Sequence, residues 1–305
     1  MKLSIVIPIM NEAGNIKNLI SRLKVVLDKY SDYEIIFVDD GSTDNTLDII
    51  KKESVENNKI KFLSFSRNFG HQNALRAGLD FADGDGVISM DGDLQHPPEL
   101  IPELIKKWRE GFDIVYTLRK DDPNTPVFKR KTASFFYSIM NLFSEVKIDH
   151  GAADFRLLDR KVVEVIKTIR EDNLFMRGLV SWLGFKQVGI EYMPERRNWG
   201  KTKYTFKKMF NFALSGITSF SIKPLHISTV LGYIMAGLAF FYGIYAIWIK
   251  IFTDQAISGW ASVLVGVLFI GGIQMIMIGI LGEYLGKLFM EAKKRPSYII
   301  KEKKI

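Results

Sequence analysis

The stretch Leu3-Ser4-Ile5-Val6-Ile7-Pro8-Ile9-Met10-Asn11-Glu12 leads into Ile16, Leu19, Ile20, Leu23 and Leu27 at helical spacing, then into Glu34-Ile35-Ile36-Phe37-Val38-Asp39-Asp40. Two short runs rich in β-branched residues, separated by one amphipathic turn pattern, read as strand, helix, strand. The rhythm continues. Ile60–Phe65, Gly86–Met90 and Asp113–Tyr116 are further short apolar runs, and Leu100, Ile101, Leu104 and Ile105 keep helical spacing after Pro97-Pro98. Over residues 1–223 this alternation predicts a mainly parallel, Rossmann-like α/β sheet with helices on both faces. In such sheets ligands bind beyond the carboxyl ends of the strands, so the side chains there decide what can bind.

Three strand ends carry polar groups. The first, Pro8 to Glu12, lacks the glycine-rich turn that cradles a dinucleotide, which argues against such a cofactor on that loop. The second is Asp39-Asp40-Gly41-Ser42-Thr43-Asp44. A turn followed by a helix cap explains Ser42, Thr43 or Asp44. It leaves Asp39 and Asp40, two carboxylates that could accept hydrogen bonds from a base and a ribose. The third is Asp91-Gly92-Asp93-Leu94-Gln95. On an extended chain alternate side chains share a face, so Asp91, Asp93 and Gln95 would present three oxygens together. That donor set suits Mg²⁺ or Mn²⁺ bridging phosphates.

The rest of the chain has another character. The 305 residues contain no cysteine and four histidines, with a net charge of +8 and a mean hydropathy of +0.05. Disulfides, thiolate metal sites and cysteine nucleophiles are thereby excluded. The bland average hides two runs without Asp, Glu, Lys or Arg: 26 residues from Pro224 to Ile249 and 28 from Gln255 to Gly282. Each exceeds the roughly 20 apolar residues a helix needs to cross a bilayer. We expect transmembrane helices at about 226–249 and 260–282, within a membrane segment spanning 224–285. Residues 1–203 form the catalytic domain in this reading. Phe206, Met209, Phe210, Ala213, Leu214 and Ile217 recur at helical spacing beside Lys207 and Lys208, so 204–223 reads as an amphipathic juxtamembrane helix.

After the second run come seven basic residues and three acids, so 286–305 reads as a basic tail attracted to anionic headgroups, not to nucleic acid. The short link between the runs carries only Lys250 and Asp254. The positive-inside rule then places the catalytic domain and both termini in the cytoplasm. Gly266, Gly271, Gly272 and Gly279 would allow close helix contact and a homo-oligomer.

Pro8–Glu12, the run Val38–Thr46 and the run Asp91–Glu99 resemble glycosyltransferase family 2, of GT-A fold. Arg67-Asn68-Phe69-Gly70, Gly151–Leu158 and Arg196–Tyr204 are similar to polyprenyl-phosphate glycosyltransferases, as are the paired C-terminal helices and the stretch Gly282–Pro296. The bacterial GtrB-type bactoprenyl-phosphate glucosyltransferases, with related N-acetylglucosamine enzymes and dolichol-phosphate mannose synthases, look most similar. The resemblance covers nearly the whole chain.

It implies an inverting, metal-dependent transfer of one hexose from a UDP-sugar to undecaprenyl phosphate at the bacterial inner membrane. Pro8, Asn11, Glu12, Asp39, Asp40, Arg67 and Asp91 would bind the nucleotide sugar. Asp91, Asp93 and Gln95 would hold Mg²⁺ or Mn²⁺ on the diphosphate. Asp154 matches the family's proposed base. The acceptor phosphate, however, has a second pKa of about 6 and is largely ionised at neutral pH, so Asp154 would position groups more than remove a proton. Arg119, Arg130, Lys131, Arg196, Arg197, Lys201 and Lys203 are the cations expected at the lipid phosphate and the diphosphate. The four histidines receive no role. Three rivals stand beside this reading: a processive polysaccharide synthase, whose QxxRW motif is absent; a soluble-acceptor glycosyltransferase, which would not need the bilayer; and a non-catalytic nucleotide-sugar-binding membrane scaffold.

Overall fold

The computed structural model describes residues 1–120, 151–169, 171, 175–193, 221–252 and 259–305. Of the expected juxtamembrane helix 204–223 only residues 221–223 are among these, and the candidates Arg130, Lys131, Arg196, Arg197, Lys201 and Lys203 lie outside them.

The strand–helix alternation appears where the sequence places it. β1 (Lys2–Ile9), α1 (Ile16–Leu27), β2 (Asp32–Asp39), α2 (Thr46–Glu56), β3 (Ile60–Phe65), α3 (His71–Phe81) and β4 (Gly86–Ser89) follow in order. Then come α4 (Ile101–Arg109), β5 (Ile114–Arg119), β6 (Ala152–Asp159), α5 (Arg160–Thr168), α6 (Met176–Trp182) and β7 (Gln187–Tyr192). The chain ends with α7 (Lys223–Phe252), α8 (Trp260–Ala292) and β8 (Ile300–Lys304).

One eight-stranded sheet runs β7-β5-β6-β4-β1-β2-β3-β8. Its centre, β4-β1-β2-β3, is parallel, as the crossover helices require. The whole sheet is mixed, because β6 lies antiparallel between β4 and β5 and β8 lies antiparallel on β3. The insertion of β6 matters for function. Running against β4, it brings its first residues beside the end of β4, and the Ser89 hydroxyl donates to the Asp154 carbonyl at 2.6 Å.

Central strands buried on both faces read as continuous apolar runs. Ile5, Ile7, Ile35 and Phe37 face one way, against Ile16, Leu19, Leu23 and Leu104. Val6, Ile36 and Val38 face the other, against Leu75, Leu79, Val162 and Leu179. Each such side chain contributes about 1.5–3 kcal/mol by burial, which makes this double-sided packing the main stabilising term of the domain. At Gly78 a Cβ would stand 2.1 Å from Val6 Cγ1, so only glycine lets α3 lie this close to β1.

The two long helices carry their apolar residues outward. Their spans Lys223–Ile249 and Val265–Ala292 have mean hydropathies of 1.8 and 2.2, and none of either span's most apolar stretch is buried within the protein. At about 1.5 Å per residue α8 is about 50 Å long, well beyond the roughly 30 Å of a bilayer's hydrocarbon core. Its last turns lie beside the start of α7, where the Tyr284 hydroxyl donates to the Ser221 carbonyl at 2.7 Å.

The C-terminal segment corrects the expected division of the chain. Residues 286–305 are not a separate basic tail. Lys287 to Ala292 continue α8, and Ile300–Lys304 is a strand of the catalytic domain's own sheet. Its charges serve that docking. Glu302 pairs with Lys51 at 2.7 Å, and the Lys304 ammonium donates to the Ser54 carbonyl. Because the chain leaves the domain before α7 and returns to it after α8, both outer ends of the hairpin lie on the domain's side.

Candidate active site

Beyond the carboxyl ends of β1, β2, β3 and β4 lies a cleft of about 560 Å³. Pro8 and Glu12 line it from β1, Asp40 from β2, and Asn68, Phe69 and Gly70 from the loop after β3. His71, Gln72 and Asn73 open α3 there, and Asp91, Asp93, Asp154 and Arg177 complete the wall.

The turn Asn11–Glu12 is held against the turn after β2. Asn11, at φ 57°, accepts from the Thr43 N–H at 2.8 Å, and its own N–H donates to the Ser42 hydroxyl at 2.9 Å. The Glu12 N–H donates to the Thr46 hydroxyl at 2.9 Å. Asn11 shapes this rim and is not among the cleft-lining residues.

Asp39 and Asp40, equal in the sequence, part company here. Asp39 is buried, accepting from the Ser42 N–H at 3.0 Å and the Ser64 hydroxyl at 2.9 Å. It braces β2 against β3. Asp40 faces the cleft and accepts from the Phe69 N–H at 2.6 Å and the Gly70 N–H at 3.0 Å. Burial pushes its carboxyl upward, while these two N–H groups favour the anion. Gly41, at φ 71°, permits the arrangement, because a Cβ there would meet the Arg67 carbonyl carbon at 2.6 Å. Arg67, expected at the nucleotide, is exposed with its guanidinium 4.0 Å above the Phe69 ring and is not among the cleft-lining residues.

The Asp91–Gln95 segment is a turn and not the extended chain expected from alternation. β4 ends at Ser89, and Leu94 takes φ 63° while fully buried. A buried leucine in the left-handed region is strained, the kind of backbone that persists at functional sites. The turn still delivers Asp91 and Asp93 to the cleft. It does not deliver Gln95, which donates its backbone N–H to Asp93 at 3.1 Å and is absent from the cleft wall.

Among the described residues no three His, Asp or Glu side chains gather closely enough to hold a metal alone. Yet the Asp91 Oδ1 atom is buried without a hydrogen-bond partner. That anionic oxygen, with the His71 ring 3.4 Å away as its charged neighbour and a second carboxylate beside it, fits a divalent cation that takes its remaining ligands from substrate phosphates and water.

Asp154 sits at the back of the cleft in a cationic cage. Arg177 grips it with two hydrogen bonds, Nε at 3.0 Å and Nη2 at 2.9 Å. Arg156 adds a third at 3.1 Å, and the His71 Nε2 lies 3.7 Å away. Burial opposes ionisation, but Arg177, His71 and Arg156 outweigh it and hold the carboxyl well below the usual range. His71 also approaches Asp91 Oδ1 at 3.4 Å. Burial would lower its pKa, but the Asp154 and Asp91 carboxylates prevail and push it up to about 9.

His71 and Arg177 went unread in the sequence because neither belongs to a strand-end motif. His71 opens α3 just after Gly70, which at φ 97° forms its N-cap, and that glycine punctuation was the available signal. Arg177 comes from α6, and nothing local marks it. His96 is structural: it accepts from the Asp91 N–H at 3.0 Å and stacks on Phe155. Arg119, exposed at the end of β5, is not in the cleft wall.

Comparison with known proteins identifies the family. Residues 4–167 match the model of Glycosyl transferase family 2, and residues 223–288 match the GtrB C-terminal hairpin. The prophage bactoprenol glucosyl transferase homolog of Escherichia coli K12 is 47% identical over 305 residues, covering 100% of each chain. The bactoprenol glucosyl transferase of Shigella phage SfV is 44% identical, covering 100% of this chain and 99% of its own. Mannosyl-3-phosphoglycerate synthase from Rubrobacter xylanophilus shares the fold, with a TM-score of 0.51 at 16% identity over 70% of this chain and 71% of that one. The chain belongs to glycosyl transferase family 2, an enzyme of GT-A fold with a C-terminal hairpin of two apolar helices.

Proposed function

We propose that the enzyme transfers a single hexose, glucose or N-acetylglucosamine, from a UDP-sugar to undecaprenyl phosphate or a similar polyprenyl phosphate. One observation carries the reading. The Asp91 and Asp93 carboxylates share a cleft with the Asp154, Arg177 and His71 cluster, in a chain that also carries a bilayer-length hairpin. The names of the relatives, bactoprenol glucosyl transferases over their full length, support the acceptor class.

The chemistry is a single displacement. An oxygen of the acceptor phosphate forms a bond to the anomeric carbon, the bond from that carbon to UDP breaks, and its electron pair leaves with UDP. Attack opposite the leaving group inverts the anomeric centre. Mg²⁺ or Mn²⁺ held by Asp91 and Asp93 would supply charge neutralisation for the departing diphosphate. The chain's own residues do the rest. Pro8, Glu12, Asp40 and the Asn68–Gly70 loop form the nucleotide side of the cleft. On the other side, Arg177 and His71 present positive charge beside the N-terminus of α3, where amide dipoles also favour anions.

Asp154, ionised and held by two guanidiniums, is a weak base, and a phosphate dianion has no proton to give up. Its role in this reading is to orient Arg177 and His71 toward the incoming phosphate. Charge asymmetry around the hairpin supports a cytoplasmic catalytic domain, where UDP-sugars are made, in the bacterial inner membrane.

The test is a panel of radiolabelled UDP-sugars with the purified enzyme in lipid and undecaprenyl phosphate. A single-sugar lipid product is expected from one donor. Polymer would favour the processive synthase, and binding without product would favour the scaffold. Either outcome would overturn the proposal.

A further inference from the structure

Without β8, strand β3 would be the open edge of the sheet. β8 covers it along Phe62–Phe65, with a register shift between Ser64 and Phe65. Such irregularities re-aim the chain next to active sites. The Ser66 N–H then donates to the Ile299 carbonyl at 3.0 Å, so the C-terminal segment holds β3 up to the residue before Arg67. The next residues along the chain enter the cleft wall, where the Phe69 and Gly70 N–H groups clamp Asp40.

Side chains extend this connection. Tyr298 stacks on Phe65 with centroids 5.3 Å apart and planes 12° from parallel. Phe65 meets Phe69 edge-on at 5.7 Å, and Phe69 lines the cleft. The Tyr298 hydroxyl donates to Asp80 Oδ2 at 2.9 Å, anchoring the ring to α3, whose other end carries His71. The path from C-terminal segment to cleft is thus one aromatic ladder and one main-chain pairing.

We propose that Tyr298 is a positioning residue of the donor site, fixing through Phe65 and Phe69 the loop that clamps Asp40. The inference rests on the reading of the cleft as the nucleotide-sugar site. Only Lys293–Ser297 separate α8 from Tyr298, so the donor loop is fastened directly to the membrane hairpin.

The test uses the full-length protein in lipid nanodiscs, titrated calorimetrically with UDP in the presence of Mn²⁺. Tyr298→Ala should weaken UDP binding about 3- to 10-fold, the range of one aromatic pair. Tyr298→Phe keeps the stack and should bind like the wild type. Lys51→Ala removes the ion pair between α2 and Glu302 without touching the ladder, and should also bind like the wild type. If Tyr298→Ala does not fold, Tyr298→Leu is read in the same way, together with hydrogen exchange at the Phe69 and Gly70 amides, which should accelerate. Undiminished UDP affinity in a folded Tyr298→Ala or Tyr298→Leu protein overturns the inference. Equal weakening by Lys51→Ala also overturns it, since general loosening of β8 would then suffice. A wild type that binds no UDP removes the donor-site reading itself, and this inference with it.

Discussion

The central strands and the two C-terminal helices are alike in their wealth of Ile, Leu, Val and Phe, yet Phe37 in β2 is fully buried whereas Phe241 in α7 is 70% exposed. Both regions remove apolar surface from water, by different means. The strands do so against α1, α3 and α4, and the price is a fixed register in which a one-residue slip would expose the whole face. The helices offer their apolar surface to an outside medium, so length and the absence of charge matter more than any particular neighbour. The sheet can therefore carry chemistry at its strand ends. The hairpin contributes no residue to the cleft wall.

That division is first open to attack at the bilayer, where the expected signal is all or none. A reporter fused after Ile305 should be cytoplasmic, and one inserted near Ser258, between the two helices, should be external. The two ends cannot separate without pulling β8 from β3, so the same side for the domain and the C-terminus is demanded by the fold. Opposite sides for these two would break the comparison outright.

Next is the chemical end of the sheet. Asp93→Asn should lower transfer on the order of 10³-fold, because several kcal/mol of leaving-group stabilisation go with the carboxylate. Melting of the domain and membrane insertion should not change. Full transfer by EDTA-treated wild type would remove the metal from the proposal.

The packing contrast itself can be measured on two phenylalanines. Phe37→Ala should destabilise the catalytic domain by about 3–5 kcal/mol, through lost burial and a cavity the rigid sheet cannot close. Phe241→Ala, at an exposed position of α7, should shift stability in nanodiscs by no more than about 0.5 kcal/mol. Comparable losses at both positions would show that α7 packs against protein in the membrane, and that the hairpin is more than an anchor.

The same contrast explains what the sequence disclosed. The parallel centre of the sheet was legible because double-sided burial writes itself as uninterrupted Ile and Val runs, and the hairpin because 26 and 28 residues without a charge have few other uses. β8 was not legible. Ile300-Lys301-Glu302-Lys303-Lys304 has the charge pattern of a solvated tail, and also that of a protected edge strand. Only its pairing with β3, more than 230 residues earlier, decides between them. In the site, Asp91 and Asp93 were readable from their place at a strand end. Asp39 and Asp40 could not be ranked, because which carboxylate is consumed by Ser42 and Ser64 depends on how β2 meets β3. Arg177 was out of reach, since only the packing of α6 against β6 brings it to Asp154, 23 residues earlier.

The smallest expected effect concerns Asp154, and it lies in where a pH profile bends. The carboxyl is held well below the usual range, so Asp154 stabilises the fold above the unfolded value of about 3.9 and that contribution is lost only in acid. It has no titration to offer near neutrality. Single-turnover transfer against pH should therefore rise with a midpoint near 6, the second ionisation of the acceptor phosphate. Asp154→Asn should reduce the amplitude by up to about 10²-fold, the scale of a misplaced reacting group, and leave the midpoint within about 0.3 unit. Removing the carboxylate also leaves Arg156 buried without its anion, at a cost of about 3–5 kcal/mol, so rates are compared at a temperature where the variant is folded by its melting curve. A wild-type inflection near 4 that vanishes in Asp154→Asn, with a 10²–10⁴-fold loss, would instead make Asp154 a general base. It would also mean that Arg177 releases the carboxylate during turnover, which the two hydrogen bonds at 3.0 and 2.9 Å oppose.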